Sequence, residues 1–210
     1  MAHTTPDPHA GQPVRTRGPR PADARLTMIL VHGRGATAES ILMLADELDV
    51  ADVAWLAPQA ADNTWYPYSF LAPIAQNEPG ITSAMDVISG LIRGLDARRV
   101  GLLGFSQGAC LSMEYAARHA QRYAALAGLS GGLIGPPGTP RNYAGAFDAT
   151  PVFLGCSDVD AHVPVERVHE TADVCRRMGA DVDERIYPRM GHTVNADELD
   201  AVRALLRASR

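Results

Sequence analysis

The hydrophobic residues alternate between short continuous runs and longer stretches with helical spacing. The run at 26–31, LTMILV, is apolar and partly β-branched, as in a strand buried on both faces of a sheet. In the segment that follows, Ile41, Ala45 and Leu48 recur at helical spacing, and Thr37 is the predicted N-cap. The same alternation continues to the end of the chain. Further strands are predicted at 53–57, 100–105, 124–129, 152–156 and 182–187, and further helices at 81–95, 107–120, 165–178 and 196–208.

Strands that alternate with helices over the whole length indicate βαβ units with right-handed crossovers. The predicted fold class is therefore α/β, with a mostly parallel central sheet and helices on both faces. No insertion is long enough for a large lid, and functional groups are expected at the carboxyl ends of the strands.

The chain length of 210 residues predicts one domain with a sizeable core. Residues 1–22 carry five prolines, which break helices and cannot donate to a sheet. This segment is therefore predicted to be a tail or an edge strand, the strand lying near 14–17. Residues 23–210 are predicted to form a single catalytic domain.

Composition narrows the classes of function. The sequence is 46% hydrophobic and 20% charged, as in ordinary globular proteins. It has neither an apolar run long enough to span a membrane nor the apolar core of a secretory signal, so we expect a cytoplasmic protein without membrane insertion. All 19 basic residues are arginine, yet the net charge is −5 and no long basic run occurs, which argues against a nucleic-acid partner. A monomer or homodimer is expected.

Two segments match the Gly-x-Ser-x-Gly pattern of a nucleophilic serine: GFSQG around Ser106 and GLSGG around Ser130. Ser106 follows a predicted strand and precedes a predicted helix, which is the required strand-turn-helix context. Ser130 is followed by GGLIGPPGTP, whose glycines and prolines forbid a helix. Ser106 is therefore the candidate nucleophile, with Gly104 and Gly108 allowing close approach of strand and helix, and the Gln107 N–H is a candidate oxyanion donor.

A nucleophilic serine needs a histidine base and a carboxylate that orients it. In chain order, the loop after predicted strand 152–156 offers Asp158 and Asp160, between which spacing alone does not decide. The loop after 182–187 offers His192.

The remaining histidines are weaker candidates for the base. His119 and His169 are expected at the surface, and His162 comes before the penultimate helix and strand. His32 follows the first buried strand, where a structural role is expected.

These motifs together resemble the small carboxylesterase/phospholipase branch of the α/β-hydrolases, which includes acyl-protein thioesterases and bacterial carboxylesterases. The motifs are HGRGA at His32, GFSQGA at Ser106, the D-x-x-V-P of Asp160 and the G-H of His192, and the resemblance extends over 25–208. It implies Ser106 as nucleophile, Asp160 rather than Asp158 as triad acid, and His192 as base.

The resemblance also implies that the backbone N–H groups of Arg34 and Gln107 form the oxyanion hole. Two positions depart from the family pattern. Ala161 stands where a proline often follows the acid, and Arg34 stands where many members have an apolar residue. The Arg34 side chain is expected to shape the pocket mouth or to meet an anionic substrate group.

Aromatic residues concentrate in the segment APQAADNTWYPYSFLAP, and apolar residues occur in the loop at 133–147. Aromatic loops beside a nucleophile fit an apolar ester, so Trp65, Tyr66 and Leu133 are predicted to bind substrate. The alternative, stated for Trp65 and Phe70, is a role in pinning their loop to the core.

The predicted activity is hydrolysis of short- to medium-chain or small aromatic carboxylic esters through an acyl-enzyme on Ser106, with a small-molecule ester as the partner. No metal or organic cofactor is needed. The three cysteines match neither a disulfide framework nor a zinc site and are expected to be buried. The alternatives are an acyl thioesterase or lysophospholipase with the same triad, and a non-catalytic ligand-binding module on a hydrolase scaffold.

Overall fold

The central element is a seven-stranded sheet in a computed structural model that describes residues 7–209. The strands are β1 (Val14–Arg17), β2 (Leu26–Val31), β3 (Val53–Pro58), β4 (Val100–Phe105), β5 (Ala125–Leu129), β6 (Pro151–Ser157) and β7 (Asp181–Tyr187). Their order is β1-β3-β2-β4-β5-β6-β7. β1 pairs with β3 in the antiparallel sense, and all other neighbours are parallel. The mostly parallel sheet predicted from the alternating pattern is confirmed.

Helices cover both faces of this sheet. They are α1 (Ala38–Leu48), α2 (Gly80–Ile92), α3 (Gln107–Arg118), α4 (Val165–Arg177) and α5 (Ala196–Ala208), with short 3-10 turns at Ala61–Asn63, Ile74–Asn77 and Ala97–Arg99. One hydrophobic cluster packs α1 and α5 against the sheet, and the other packs α2, α3 and α4 against the opposite face. No helix in the described part of the chain is long and apolar enough to cross a membrane.

Local sequence accounts for the start of α1 and for the end of α2. α1 begins after Thr37, whose side chain accepts a hydrogen bond from the backbone N–H of Ser40 at 3.2 Å, as the N-cap prediction requires. α2 ends at Ile92, three residues before the predicted end at 95. Leu95 fits the apolar spacing, but Gly94 has a φ of +82°, a left-handed conformation that stops the helix.

The N-terminal segment packs against the domain from His9 onward. His9 is buried, its Nδ1 accepts from the N–H of Ala61 at 3.1 Å, and its Nε2 donates to the carbonyl of Trp65 at 2.9 Å. An edge strand lies at Val14–Arg17, where the sequence predicted one. The part of the predicted tail at 1–6 lies outside the described residues.

Glu198, in the first turn of α5, is a fully buried carboxyl group. Its Oε2 accepts from the N–H of Asn195 at 2.9 Å, while its Oε1 has no hydrogen-bond partner among residues 7–209. Burial raises the pKa of this carboxyl to about 7. From pH 4.5 to 7 the folded chain therefore keeps a proton that the unfolded chain has released, so stability falls as pH rises through this range.

Replacement of Glu198 by glutamine is expected to remove this pH dependence, because the amide keeps a carbonyl oxygen for the Asn195 N–H and does not ionise. In the wild-type protein the carboxyl should lower the free energy of unfolding by about 2 to 3 kcal/mol between pH 5 and 8. Urea unfolding at both pH values measures the difference. Glu166→Gln, at an exposed position in the first turn of α4, is the control and should retain the wild-type slope. If the free energy of unfolding of Glu198→Gln fell between pH 5 and 8 as much as that of the wild-type protein, the prediction would be contradicted.

Candidate active site

Ser106 occupies the sharp turn between β4 and α3. Its backbone has φ 56° and ψ −120°, a conformation that non-glycine residues rarely adopt. The turn is held by a hydrogen bond from the Ser106 N–H to the Leu129 carbonyl at 2.9 Å. A Cβ atom at Gly104 would overlap the backbone of Gly108, and one at Gly108 would overlap the carbonyl of Val31. Both glycines therefore permit the close packing that projects the Ser106 side chain from the carboxyl end of β4.

The loops after β6 and β7 bring a carboxylate and an imidazole to this serine. The Nε2 of His192 lies 2.9 Å from the Oγ of Ser106, and the Nδ1 of His192 lies 2.7 Å from the Oδ2 of Asp160. A carboxylate only accepts hydrogen bonds, so Nδ1 carries the proton and Nε2 is left to accept from the serine hydroxyl. The three side chains thus form one hydrogen-bonded chain at the carboxyl ends of β4, β6 and β7.

The Asp160 carboxylate is buried and fixed from two sides. Its Oδ1 accepts from the backbone N–H groups of His162 and Val163 at 2.8 and 3.0 Å. Burial alone would raise the pKa of this carboxyl, but the hydrogen bonds from His192 and from the two backbone groups outweigh it and hold the pKa below its usual value. Asp160 is therefore ionised at neutral pH, as a partner that orients an imidazole must be.

Cys156 adds a weaker contact to the same carboxylate. Its thiol donates to the Oδ2 of Asp160 at 3.8 Å. Burial and the nearby negative charge of Asp160 raise the pKa of this thiol to about 12, so it remains protonated. Cys110, Cys156 and Cys175 are all buried and free of disulfides, as expected from their spacing.

The competing serine and acid candidates lie elsewhere. The Oγ of Ser130 is buried without a hydrogen-bond partner in the described part of the chain. β5 leads into a loop rather than a helix, as the glycines and prolines predicted. Asp158 accepts from the backbone N–H of Arg189 at 2.7 Å and stabilises the His192 loop instead of contacting the imidazole.

The other histidines fall into three settings. His32 is buried, its Nδ1 donates to the Gly33 carbonyl at 2.8 Å and its Nε2 accepts from the Ala60 N–H at 3.1 Å, in agreement with a structural role. His169 is exposed beside Glu184, and His119 stacks on Tyr115. His162 lies against His192, with ring centroids 4.7 Å apart. The sequence had placed His162 in this loop but had given it no role.

Two backbone N–H groups lie next to Ser106. One belongs to Arg34, in the loop after β2, and the other to Gln107, the first residue of α3. Neither donates to a protein acceptor within residues 7–209. The first N–H groups of a helix have no partner within the helix, and they lie at its positive dipole end. The Gln107 N–H is therefore available to an oxyanion at a helix N-terminus, and the Arg34 N–H is available because it has no acceptor within residues 7–209.

The side chains of the same two residues hold the aromatic loop in place. The Oε1 of Gln107 accepts from the Trp65 N–H at 2.9 Å, and its Nε2 donates to the Tyr66 carbonyl at 2.8 Å. The Arg34 guanidinium donates four hydrogen bonds, from Nη1 to Thr64 Oγ1 and Pro67 O and from Nη2 to Tyr66 O and Tyr68 O, at 2.7 to 3.0 Å. The sequence predicted a place for the Arg34 side chain at the pocket mouth or against an anionic substrate group, but it did not reveal these loop contacts, because side-chain partners in a distant loop leave no local pattern.

Replacement of Arg34 by methionine is expected to loosen this loop. Methionine has a similar length but cannot donate hydrogen bonds, so the four loop acceptors of the guanidinium lose their donor. We expect kcat/KM for a neutral ester to fall about thirtyfold, or about 2 kcal/mol. Arg34→Lys keeps the charge but not the planar fork, so it should recover only part of the loss. Steady-state kinetics and limited proteolysis of the loop at 64–70 measure the effect. Wild-type values for both variants would exclude this role for the guanidinium.

A cavity of about 530 Å³ opens at Ser106. It is bordered by the aromatic loop, the start of α3 and the loops that carry the acid and the base. The lining residues are Arg34, Tyr66, Pro67, Tyr68, Ser69, Phe70, Ser106, Gln107, Cys110, His162, Val163 and His192. Tyr66, which the sequence predicted to bind substrate, is one of these lining residues, and its hydroxyl has no partner among the described residues.

Trp65 and Leu133, the other predicted substrate-binding residues, do not line the cavity, and this part of the prediction requires correction. Trp65 is fully buried, and its indole N–H donates to the His32 carbonyl at 2.9 Å. Leu133 is fully buried, and its backbone is held by Thr171 and Arg167 of α4. Both side chains pin their loops to the core, which for Trp65 was the alternative given above.

A larger depression of about 620 Å³ lies at the opposite end of the sheet. It is lined in part by Ala124 and Pro151, which stand at the amino ends of β5 and β6. In α/β sheets, functional groups gather at the carboxyl ends of strands. The cavity at Ser106 is therefore the candidate active site.

Comparison with known proteins agrees with this geometry. The phospholipase/carboxylesterase family model matches residues 19–210. The chain is 26% identical over 220 residues to acyl-protein thioesterase 1 of Neurospora crassa, covering 89% of this chain and 88% of that protein. It is 34% identical over 117 residues to acyl-protein thioesterase 1 of Gibberella zeae, covering 54% of this chain and about half (49%) of that protein.

Among solved structures, a phospholipase/carboxylesterase from Dyadobacter fermentans is 38% identical, with a TM-score of 0.89. The match covers 94% of this chain and 97% of that chain. The α/β-hydrolase fold expected from the motifs is thereby confirmed, and no large lid is present in the described part of the chain. The chain belongs to the phospholipase/carboxylesterase family and is a serine hydrolase of carboxylic esters.

Proposed function

We propose that this hydrolase cleaves short- to medium-chain or small aromatic carboxylic esters through an acyl-enzyme on Ser106. The observation that carries the proposal is the hydrogen-bonded chain from Ser106 through His192 to Asp160, with distances of 2.9 and 2.7 Å. Such a chain supplies the activated nucleophile, the base and the orienting acid that acyl transfer needs.

In the first half of the reaction, the Ser106 oxygen attacks the ester carbonyl while Nε2 of His192 takes the hydroxyl proton. The negative charge that develops on the carbonyl oxygen is stabilised by the N–H groups of Arg34 and Gln107. The ionised Asp160 stabilises the imidazolium that forms. His192 then donates its proton to the leaving alcohol oxygen, and the acyl group remains on Ser106.

In the second half, water takes the place of the alcohol. His192 accepts a proton from the water as its oxygen attacks the acyl carbonyl, and the same two N–H groups bind the oxyanion. Collapse of this intermediate returns the proton to the Ser106 oxygen and releases the carboxylic acid. The final acceptor is therefore water.

The lining of the cavity supports a small ester. Tyr66, Phe70 and Val163 provide apolar surface for an acyl chain or an aromatic ring. Ser69 and His162 interrupt that surface, and a long alkyl chain would leave their polar groups without partners. The full burial of Leu133 and Ile134 also removes the loop at 133–147 as an apolar extension of the cavity.

A second candidate is an acyl thioesterase or lysophospholipase that uses the same residues. The observation in its favour is that relatives from Neurospora crassa and Gibberella zeae are named acyl-protein thioesterase 1. The chemistry at Ser106 would be unchanged, and only the leaving group and the acyl chain would differ.

A substrate series distinguishes these candidates. Rates for 4-nitrophenyl esters from acetate to palmitate are measured beside the rate for a palmitoyl thioester. We expect kcat/KM to be higher from acetate through octanoate than for palmitate or for the thioester. Dominance of the long-chain thioester would reject the preferred substrate class in favour of the second candidate.

Fluorophosphonate labelling of the protein tests the nucleophile independently of substrate choice.

Three expectations from the sequence stay predictions. They are a cytoplasmic location, a monomer or homodimer, and a single catalytic domain over 23–210.

A further inference from the structure

We propose that His162 binds a carboxylate on the alcohol portion of the substrate, so that the preferred esters release an alcohol or phenol bearing an acid group. This inference rests on the proposed function, because it places the leaving group beside His192. It concerns a residue that the acyl-transfer steps do not use.

The position of His162 is fixed by the active site itself. Its backbone N–H donates to the Oδ1 of Asp160 at 2.8 Å, so the residue is anchored to the triad acid. Its ring packs edge-on against that of His192, with an interplanar angle of 63°. The side chain is exposed and borders the cavity, and its ring nitrogens make no hydrogen bond to residues 7–209. An imidazole with available nitrogen atoms therefore lies at the mouth of the site.

The mechanism decides which part of the substrate reaches this imidazole. His192 must hand its proton to the leaving oxygen, so the alcohol portion has to lie next to the His192 ring. His162 contacts that ring from the side of the cavity. A group carried by the alcohol is therefore closer to His162 than a group carried by the acyl chain.

The charges around the cavity favour an anion. Within the described chain, none of the residues lining the cavity is Asp or Glu. The carboxylate of Asp160 is fully buried behind His192. Arg34 contributes a positive charge, but both of its terminal nitrogens already donate to the aromatic loop. A substrate carboxylate is thus attracted by Arg34 and receives its direct hydrogen bond from His162.

Histidine side chains change charge between pH 5 and 8, which makes the interaction measurable. His162 contacts His192 and Asp160, and the other titratable or charged groups that line the same cavity are Arg34, Tyr66, Tyr68 and Cys110. The pKa of the Asp160 carboxyl is held below its usual value, so that group stays ionised, and burial raises the pKa of the Cys110 thiol to about 12, so that group stays neutral. Among the side-chain types at this cavity, histidine is the one whose charge ordinarily changes in this range, and neutral His192 is required for every ester alike.

The experiment compares kcat/KM for 3-acetoxybenzoate with that for its neutral methyl ester between pH 5.5 and 8. The requirement for neutral His192 cancels in this ratio, and the benzoate stays ionised throughout. In the wild-type protein we expect the ratio to be about fivefold higher at pH 5.5 than at pH 8, and about 0.5 M NaCl should reduce that preference. In His162→Gln the ratio should be lower at pH 5.5 and independent of pH.

His169→Gln is the matched control, because His169 is an exposed histidine on α4 that does not line the cavity. It should reproduce the wild-type ratio at every pH. A second pair, 4-nitrophenyl hydrogen succinate and 4-nitrophenyl butyrate, places the charge on the acyl side and should not respond to His162→Gln.

An equal, pH-independent ratio in wild type and His162→Gln would overturn the inference, as would a response of the acyl-side pair alone. His162→Asn provides a second variant if His162→Gln does not fold, with fluorophosphonate labelling and circular dichroism as tests of folding. Failure of the proposed function would look different: either the neutral esters would not be hydrolysed at all, or the long-chain thioester would dominate the substrate series, and neither outcome depends on the charge of the leaving group.

Discussion

Replacement of Ser106 by alanine is expected to lower kcat for ester hydrolysis by about a millionfold and to abolish fluorophosphonate labelling. The change deletes one oxygen atom, the one that lies 2.9 Å from Nε2 of His192. Without it no acyl-enzyme forms, and the oxyanion hole and substrate binding supply only the residual rate over water. Alanine keeps the Cβ atom at the strained turn, so the free energy of unfolding should change little. Burst kinetics, labelling and urea unfolding measure the three consequences.

Ser130→Ala is the control for this experiment, since Ser130 occupies the second Gly-x-Ser-x-Gly match in the same chain. Its hydroxyl is buried and has no partner within the described residues, so its removal leaves no other polar group unsatisfied. Activity and labelling should stay within a few-fold of the wild-type values. Labelling that persists in Ser106→Ala and disappears in Ser130→Ala would reverse the assignment of the nucleophile.

The core of the fold could be predicted because its signals are local and strong. The strand at 100–105 and the helix beginning at Gln107 follow from an apolar run, two glycines and a set of helix formers that are adjacent in sequence. The close approach that Gly104 and Gly108 permit was likewise predictable, since both flank the turn. The acid and base loops followed from their order along the chain after Ser106, and the family resemblance then favoured Asp160 over Asp158.

The lining of the cavity could not be predicted in the same way. Trp65 and Tyr66 are neighbours in one aromatic loop, yet the first is a core residue and the second borders the cavity. What separates them is the path of the loop, which is set by the side chains of Gln107 and Arg34 and by the packing of Trp65 between His9 and His32. These contacts join segments far apart in the sequence, so composition alone does not reveal them.

The contact of His162 with the active site could not be predicted from the sequence either. Its loop was expected to hold the acid, but its approach to His192 depends on the way in which the loops after β6 and β7 meet. Two observations together give it a function: its backbone anchors Asp160, and its ring borders the cavity. Neither can be read from the spacing of histidines along the chain.

Replacement of Asp160 by asparagine is expected to lower kcat by about ten-thousandfold while the fold persists. The Oδ1 position accepts two backbone N–H groups, so the amide must place its oxygen there and its nitrogen at the position of Oδ2. That nitrogen then donates to Nδ1 of His192, which moves the imidazole proton to Nε2. An Nε2 that already carries a proton cannot accept the one from Ser106, and the positive imidazolium also loses its ionised partner. The rate should rise at high pH, where hydroxide replaces the missing base.

Asp158→Asn is the matched control, because Asp158 is the second acid in the same loop and only accepts a backbone N–H from Arg189. Its amide oxygen can replace the lost acceptor, so kcat should stay within a few-fold of the wild-type value. Steady-state kinetics from pH 6 to 10 on both variants, with circular dichroism as the test of folding, provide the comparison. If Asp160→Asn retained more than about a tenth of the wild-type kcat at pH 7, or if Asp158→Asn lost activity in its place, the orienting carboxylate would have to be sought outside the hydrogen-bonded chain that ends at Ser106.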